Sequence, residues 1–277
     1  MNIPTPKLIL TRYLYIKEDI WASIMLSILQ RDIEQTMFWV CEMYYSGFEE
    51  ELANYLMVIY NEFYHSKNPK LESFFHKMLG KIMEGPHIAA TMAINLMTKP
   101  RKYIVCDFDI PKTNIELAEN ETRVIIHIQP ESLVKYNTIL KTNELPARKI
   151  LKTACLYSSN KNMIELLQSS HNNIALDELR QMHSTDERWL YYASFSPIWM
   201  IRILEYNGLV DHETGRVYFT DDTDFEAFYQ EYGYEPDEQN TQITEKLMHV
   251  KRETQLTMKA FCCLFNITKM VRTKRPK

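Results

Sequence analysis

The residues that could perform chemistry are scattered along the chain and do not have the spacings that metal sites and nucleophiles require. The eight histidines form no HxxxH or HxH pair, and the five cysteines form no CxxC pair. The sequence contains no GxSxG, GxGxxG or GxxxxGK[ST] segment, so the common motifs for a nucleophilic serine and for phosphate-binding loops are missing. We therefore predict that the protein is not an enzyme and has no catalytic residue, no metal and no cofactor.

One acidic cluster resembles a cation site more than any other segment does. Asp221, Asp222, Asp224 and Glu226 lie close together, but the segment lacks the glycine turn and the twelfth-position glutamate of a calcium loop. Acidic side chains at the start of a helix cap it and interact favourably with its dipole. We interpret the cluster as a helix start.

A segment near the amino terminus resembles a docking motif. Tyr15, Ile20 and Trp21 follow the Tyr-x4-Leu-apolar pattern by which scaffold and repressor proteins bind the cap-binding translation initiation factor, with Ile20 where leucine is usual. A helix of this kind anchors its apolar side chains in a groove. The motif predicts that the three side chains are exposed on one helical face and bind a protein partner. With 17 tyrosines in the chain, coincidence is the alternative.

Basic residues recur further along the chain and could neutralise the phosphates of RNA. They are Lys135, Lys141, Arg148, Lys149 and Lys152. The alternative is an ordinary solvated helix face. The formal net charge of −4 gives the whole protein no attraction for nucleic acid, so binding would have to be local.

The segment 197–219 has the order of a winged helix, a helix followed by a hairpin. Its helix offers one basic side chain, Arg202, which is poor for a groove lined with phosphates. An aromatic set nearby could line a partner groove, although packing in the core is the preferred interpretation. The set comprises Trp189, Tyr191, Tyr192, Phe195 and Trp199.

The elements that must position these residues are mainly helices. Six glycines in 277 residues argue against a fold with many tight hairpins. Between residues 18 and 98, apolar residues recur at helical spacing in five segments, with acidic starts at Glu18, Asp32 and Glu49 and a glycine end at Gly47. Short links between such helices favour stacked helical hairpins, a HEAT-like short solenoid.

The remaining chain predicts an irregular connection and a second helical region. Residues 103–108 and 123–128 alternate as strands do, within a polar connection over 101–130. Helices are expected near 130–140, 145–157, 161–169, 175–183, 197–206 and 223–232, with one small β-hairpin at 209–219 and a long final helix from 238 to about 270. We therefore predict a mainly α protein with an N-terminal helical array (1–100), a connecting segment (101–130) and a C-terminal helical region (131–277).

The composition predicts a cytoplasmic protein. No stretch of 18 apolar residues occurs, which predicts that no segment spans a membrane, and the first residues do not form a signal peptide. An odd number of scattered cysteines predicts reduced thiols in a reducing compartment. They are Cys41, Cys106, Cys155, Cys262 and Cys263.

Three segments carry a family resemblance. YYSGFEEEL (44–52), SPIW (196–199) and FYQEYGYEPDEQ (228–239) resemble segments of a poorly characterised protein family of giant nucleocytoplasmic DNA viruses. The resemblance implies expression in the cytoplasm of an infected host cell and brings no catalytic residues. A helical-repeat protein there is similar in architecture to the middle domain of the large translation-initiation scaffold protein.

These observations together predict a non-enzymatic helical adaptor. Its most specific form is a viral translation-initiation scaffold that binds a cap-binding factor or helicase, and RNA. One alternative is a nucleic-acid-binding accessory factor of transcription or replication, which requires Arg202 and the hairpin to be exposed together. Another is a virion structural protein, which would show large apolar patches outside any groove.

Overall fold

Acidic side chains and backbone caps determine where the N-terminal helices begin and end. The computed structural model describes residues 8–101, 103–105, 124–141, 150, 153–154, 156–157, 188–233 and 267–269. The N-terminal helices are α1 (Lys17–Gln30), α2 (Ile33–Tyr45), α3 (Glu49–Ile59), α4 (Glu72–Leu79) and α5 (Pro86–Met97). The Asp32 carboxylate accepts a hydrogen bond from Gln35 N at 3.0 Å and caps α2. After α2, Gly47 takes a φ of 91°, a conformation that favours glycine.

Shorter turns connect these helices. A π-turn (Tyr60–Tyr64) continues α3, and 3₁₀ turns at Pro69–Leu71 and Ile82–Glu84 flank α4. Each helix packs against the next one in sequence, as stacked hairpins predict. In addition, α5 packs against α1, α2 and α3, because apolar side chains cover nearly all of its surface. The helices therefore enclose one central helix, whereas in an open solenoid each would contact only its neighbours.

The segment 124–129 is extended but pairs with a helix instead of a strand. Three polar side chains, two in α5 and one just after it, bind the backbone of this segment. They are spaced four residues apart along the chain. Asn95 accepts from Ile126 N at 3.0 Å and donates to Ile126 O at 2.6 Å, and Thr91 Oγ1 accepts from Ile128 N at 2.8 Å. Lys99 Nζ donates to the carbonyl of Val124. Four residues of helix rise about 6 Å and two residues of extended chain about 6.6 Å, so the two periods nearly match. The predicted strand over 123–128 is therefore wrong for residues 124–128, whose backbone bonds to side chains of a helix and not to another strand.

The C-terminal part of the described chain contains short helices around a hairpin. A 3₁₀ turn (Pro130–Leu133) leads into α6 (Val134–Lys141), and α7 (Trp189–Ala193), α8 (Pro197–Glu205) and α9 (Asp222–Tyr232) follow. Strands β2 (Gly208–Asp211) and β3 (Arg216–Phe219) form the predicted hairpin, with Leu209 opposite Tyr218. Ser196 occupies the N-cap position of α8 and Pro197 lies in its first turn, although the Ser196 side chain makes no capping hydrogen bond.

A second small sheet joins residues that are distant in sequence. β1 (Tyr103–Val105) pairs antiparallel with β4 (Ile267–Lys269), Ile104 lying opposite Thr268. The strand prediction is confirmed at 103–105. The long final helix is wrong at 267–269, where β-branched residues favour an extended backbone and the partner strand lies more than 160 residues away in the sequence. The rest of that helix, 238–266, and the helices at 161–169 and 175–183 lie outside the described residues.

The mainly α class with one small antiparallel β-hairpin is confirmed. The buried apolar residues of the described segments, from Leu8 to Phe228, form one cluster. None of the helices in the described ranges combines the length and the apolar character needed to cross a membrane. The division at residues 100 and 130 stays a prediction.

Candidate functional site

The docking-motif residues near the amino terminus belong to the core. Tyr15 precedes α1, in a tight loop closed by a bridge between Leu10 and Ile16, and its side chain is 1% exposed. Its hydroxyl donates to Ala154 O at 2.5 Å. Ile20 is fully buried in α1, and the half-buried Trp21 ring packs on another aromatic ring. The expectation that the three side chains are exposed on one helical face is wrong.

The physical reason is that the apolar side chains of this segment pack in the hydrophobic core. The Tyr15 ring lies edge-on to Trp39 with 5.0 Å between ring centroids. The Trp21 ring lies 4.7 Å from that of Tyr55, whose hydroxyl donates to Trp21 O. A partner could reach Tyr15 only by unfolding the loop that holds it.

Of the five predicted RNA-binding residues, the structure describes the side chain of one. Lys135 is exposed and forms an ion pair with Glu34 at 3.2 Å, with its ammonium 4.8 Å from the ring centroid of Tyr136. For Lys141 only the backbone is described, at the end of α6. Arg148, Lys149 and Lys152 lie outside the described residues. The basic surface stays a prediction, and Glu34 offsets part of the charge of its first member.

Arg202 is not available to a nucleic acid. Its side chain is buried, with the guanidinium carbon 4.6 Å from the ring centroid of Trp199 and 4.6 Å from that of Tyr232. The nucleic-acid alternative requires Arg202 to be exposed together with the hairpin, and that requirement is not met. Arginine stacks readily on aromatic faces, and the two rings hold it inside the C-terminal part of the fold.

The acidic cluster and most of the aromatic set have the structural roles that the sequence suggested. The Asp221 carboxylate accepts from Asp224 N at 2.8 Å and caps α9, as expected. The described segments contain no group of His, Cys, Asp and Glu that could hold a metal ion. In the aromatic set, Trp189, Tyr192 and Trp199 are buried, which confirms core packing for these three.

A buried ion pair is the main feature that the sequence interpretation missed. Arg12 Nε lies 2.6 Å from Glu42 Oε2, and both side chains are 0% exposed. Tyr13 N donates to the other Glu42 oxygen at 3.1 Å, and Arg12 Nη2 donates to Tyr136 O at 3.3 Å. Burial lowers the pKa of the Arg12 guanidinium, but the Glu42 carboxylate together with Tyr13 and Cys41 more than offsets this, so the pKa is raised.

This pair holds charge and does not transfer protons. Arginine keeps its proton in proteins, so Arg12 cannot exchange a proton with Glu42. Both residues stand in apolar runs of the sequence, TRYLYI and WVCEMYY. A charged residue on the apolar stripe of a helix was the available signal for this site.

The described residues of the three segments that carry the family resemblance (44–52, 196–199 and 228–233) come together beside this pair. Ile198 N donates to Ser46 O at 3.3 Å, and a side chain at Gly47 would place its Cβ 2.5 Å from the Cβ of Pro197. The ring of Phe228 lies 6.4 Å from that of Trp199. Two features therefore require glycine at position 47: the positive φ and the close approach of α8, which leaves no room for a Cβ atom.

The C-terminal part of the described chain exposes large apolar side chains. Ile201 and Leu204 are 52% and 59% exposed and lie three residues apart on α8. Leu209 and Tyr218 are 65% and 46% exposed and are cross-strand neighbours on the hairpin. We call these four side chains the α8–hairpin face. The signal in the sequence was that six of the nine residues of α8 are apolar, more than one buried stripe requires.

The surroundings of the α8–hairpin face are acidic. Residues 188–233 contain eight Asp and Glu against three Arg, a formal charge of −5. In the described part of the chain, none of these carboxylates forms an ion pair with Lys or Arg. The region that carries the face is thus net negative, which repels phosphates and attracts a basic protein surface.

Comparison of the chain with protein-family models, with curated proteins and with solved structures finds no match. The resemblance to the viral family therefore stays a prediction. The α8–hairpin face rests on geometry and charge alone.

Proposed function

We propose that the chain is a non-enzymatic helical adaptor that binds a protein partner through the α8–hairpin face. The observation that carries the proposal is the exposure of Ile201, Leu204, Leu209 and Tyr218 within one helix and the hairpin that follows it. Exposed apolar groups of this density mark interaction sites when they lie together with polar surroundings. The negative charge of residues 188–233 favours a partner whose own apolar surface has a basic border.

The charge of this region argues against the nucleic-acid alternative. The exposed residues of α8 include Ile201, Leu204 and Glu205, and its one basic residue, Arg202, is buried. A recognition helix needs cations that reach phosphates. The region supports a protein ligand better than a nucleic acid.

The identity of the partner is the finer part of the proposal. A translation initiation factor in the host cytoplasm is the candidate that the family resemblance suggests, and the buried Tyr15 no longer supports it. Such a partner would have to bind the α8–hairpin face instead. Virion shell proteins are the competing candidate.

The test compares capture by the wild-type protein with capture by a variant of the face. In Leu209→Ser/Tyr218→Ser, two exposed apolar groups are lost without a change in charge. Met83→Ser is the matched control, because Met83 is 68% exposed and lies on the N-terminal array. All three proteins should melt at nearly the same temperature, since surface substitutions usually change stability by about 0.5 kcal/mol or less.

We expect the face variant to bind the purified main partner at least about tenfold more weakly than the control does, because such anchors contribute upwards of about 1 kcal/mol each. Binding should also weaken with added salt where the negative charge of residues 188–233 contributes to it. Equal capture by the face variant and the control would refute the proposed function. Exclusive capture of RNA would replace it with the nucleic-acid alternative.

A further inference from the structure

Two arginines meet at the carboxyl end of α1, far along the chain from the α8–hairpin face. Arg31 follows the helix in the left-handed region, with a φ of 61°, and its N donates to Ile28 O at 3.1 Å. Arg101 arrives after α5, and its Nη1 donates to Leu29 O, the carbonyl two residues before Arg31. Both side chains are half-buried, so each is open to solvent in part.

A tyrosine completes this group. Tyr64, at the end of the π-turn after α3, is buried, and burial raises the pKa of its phenol. The positive charges of Arg101 and Arg31 oppose that rise in the pKa of Tyr64. Burial lowers the pKa of Arg31, and the neighbouring charge of Arg101 lowers it further. Two like charges thus share one corner of the array.

Neither arginine has a carboxylate partner within the described residues. Arg31 Nε is buried and has no hydrogen-bond acceptor there. The nearest carboxylate in the sequence, Asp32, is used as the cap of α2. The bond to Leu29 O uses one of the five N–H groups of Arg101. The carboxyl end of α1 carries about half a negative charge, which leaves most of the two positive charges uncompensated, and the remaining donors therefore favour a bound anion.

We propose that Arg31 and Arg101, with the Tyr64 hydroxyl beside them, bind a tetrahedral oxyanion of the phosphate class. A guanidinium group binds two phosphate oxygens at once through parallel N–H groups. A phosphate ester carries close to two negative charges at neutral pH and so matches two arginines better than one carboxylate does. The source is either free inorganic phosphate or the phosphoryl group of a modified side chain on a partner.

The experiment is calorimetric titration of the full chain with sodium phosphate, with sodium chloride at matched ionic strength as the reference. Arg31→Asn removes one guanidinium, and asparagine tolerates the left-handed backbone at this position. Arg31→Lys keeps the charge and loses the paired N–H groups. Lys81→Gln is the control, since Lys81 is an exposed cation and its neighbour Ile82 contacts Tyr44 at the end of α2 remote from Arg31.

We expect the wild type and Lys81→Gln to bind phosphate equally and Arg31→Asn to bind it about 10- to 100-fold more weakly. Arg31→Lys should fall between them. O-phosphoserine, with serine as its control, separates the sources. Tighter binding of O-phosphoserine supports the site with a modified side chain as the source, and equal affinity supports it with free phosphate.

The proposal is overturned if phosphate has no effect beyond that of chloride, or if Arg31→Asn binds it as the wild type does. It is also overturned if single-stranded RNA binds through Arg31 while phosphate and O-phosphoserine do not, because the site would then require a polymer. Thermal melting of each variant in chloride alone confirms that the fold is kept.

Discussion

Removal of the charge of Glu42 should destabilise the protein strongly. Glu42→Gln keeps the shape of the side chain but leaves the Arg12 guanidinium, which is 0% exposed, without its counterion at 2.6 Å. Breaking a buried pair by removing one partner costs about 3–5 kcal/mol, because an uncompensated charge stays in the core. At about 2–4 °C per kcal/mol for a domain of this size, we expect the melting temperature to fall by about 10 °C.

The assay is thermal and urea-induced unfolding followed by circular dichroism, with two comparison variants. Glu34→Gln breaks the exposed pair with Lys135, in which both side chains are about 60% exposed, and should cost less than about 1 kcal/mol. The double variant Arg12→Met/Glu42→Leu removes both charges and should regain most of the lost stability. If Glu42→Gln and Glu34→Gln unfold alike, Arg12 is not buried against Glu42 and the reasoning fails.

Further substitutions test other contacts in the core. Gly47→Ala should cost about 2 kcal/mol or more in urea denaturation because of its positive φ and the approach of α8, whereas Gly80→Ala, with a φ of −64°, should change stability little. Asn95→Ala should cost about 1–3 kcal/mol in the same assay, since it removes both hydrogen bonds to the extended segment. The native Cys41 thiol should resist iodoacetamide at pH 8 and react after unfolding, as peptide mass spectrometry would show, because burial raises its pKa to about 12. Burial also raises the pKa of Tyr157 to about 12; the folded state therefore keeps a proton that the unfolded chain loses near pH 10, and stability should decrease between pH 10 and 12 in urea denaturation.

Local signals predicted the N-terminal helices well, because each depends on residues close in the sequence. The cap at Asp32, the acidic start at Glu49 and the glycine after α2 all act within one turn of a helix end. The hairpin was predictable for the same reason. The alternation over 123–128 predicted a strand, and residues 124–128 form none. It could not show that the partner would be the side chains of Thr91 and Asn95.

The site could not be predicted because it depends on which side of each helix faces the core. Tyr15 looks like an exposed anchor in the sequence, but it packs edge-on against the ring of Trp39 in α2. Arg202 lies against the rings of Trp199 in its own helix and of Tyr232 in α9. Conversely, Ile201 and Leu204 look like core residues and are exposed. The type of a residue determines the free energy that its burial gains or costs. Whether the residue is buried depends on where the neighbouring helices and strands lie.

The start of α8 contacts Ser46 and Gly47 beside the Arg12–Glu42 pair, and this junction affects partner binding. The start of α8 is fixed to the array by the contact of Pro197 with Gly47, and Trp199 Nε1 donates to Thr11 O at 3.0 Å. An interaction face on an element held in this way needs little ordering when a partner binds, which lowers the entropic cost of association. A substitution such as Gly47→Ala, which lies outside the α8–hairpin face, should therefore weaken partner binding as well as stability. A loss of binding confined to substitutions within the face would indicate that the face retains its geometry without the junction.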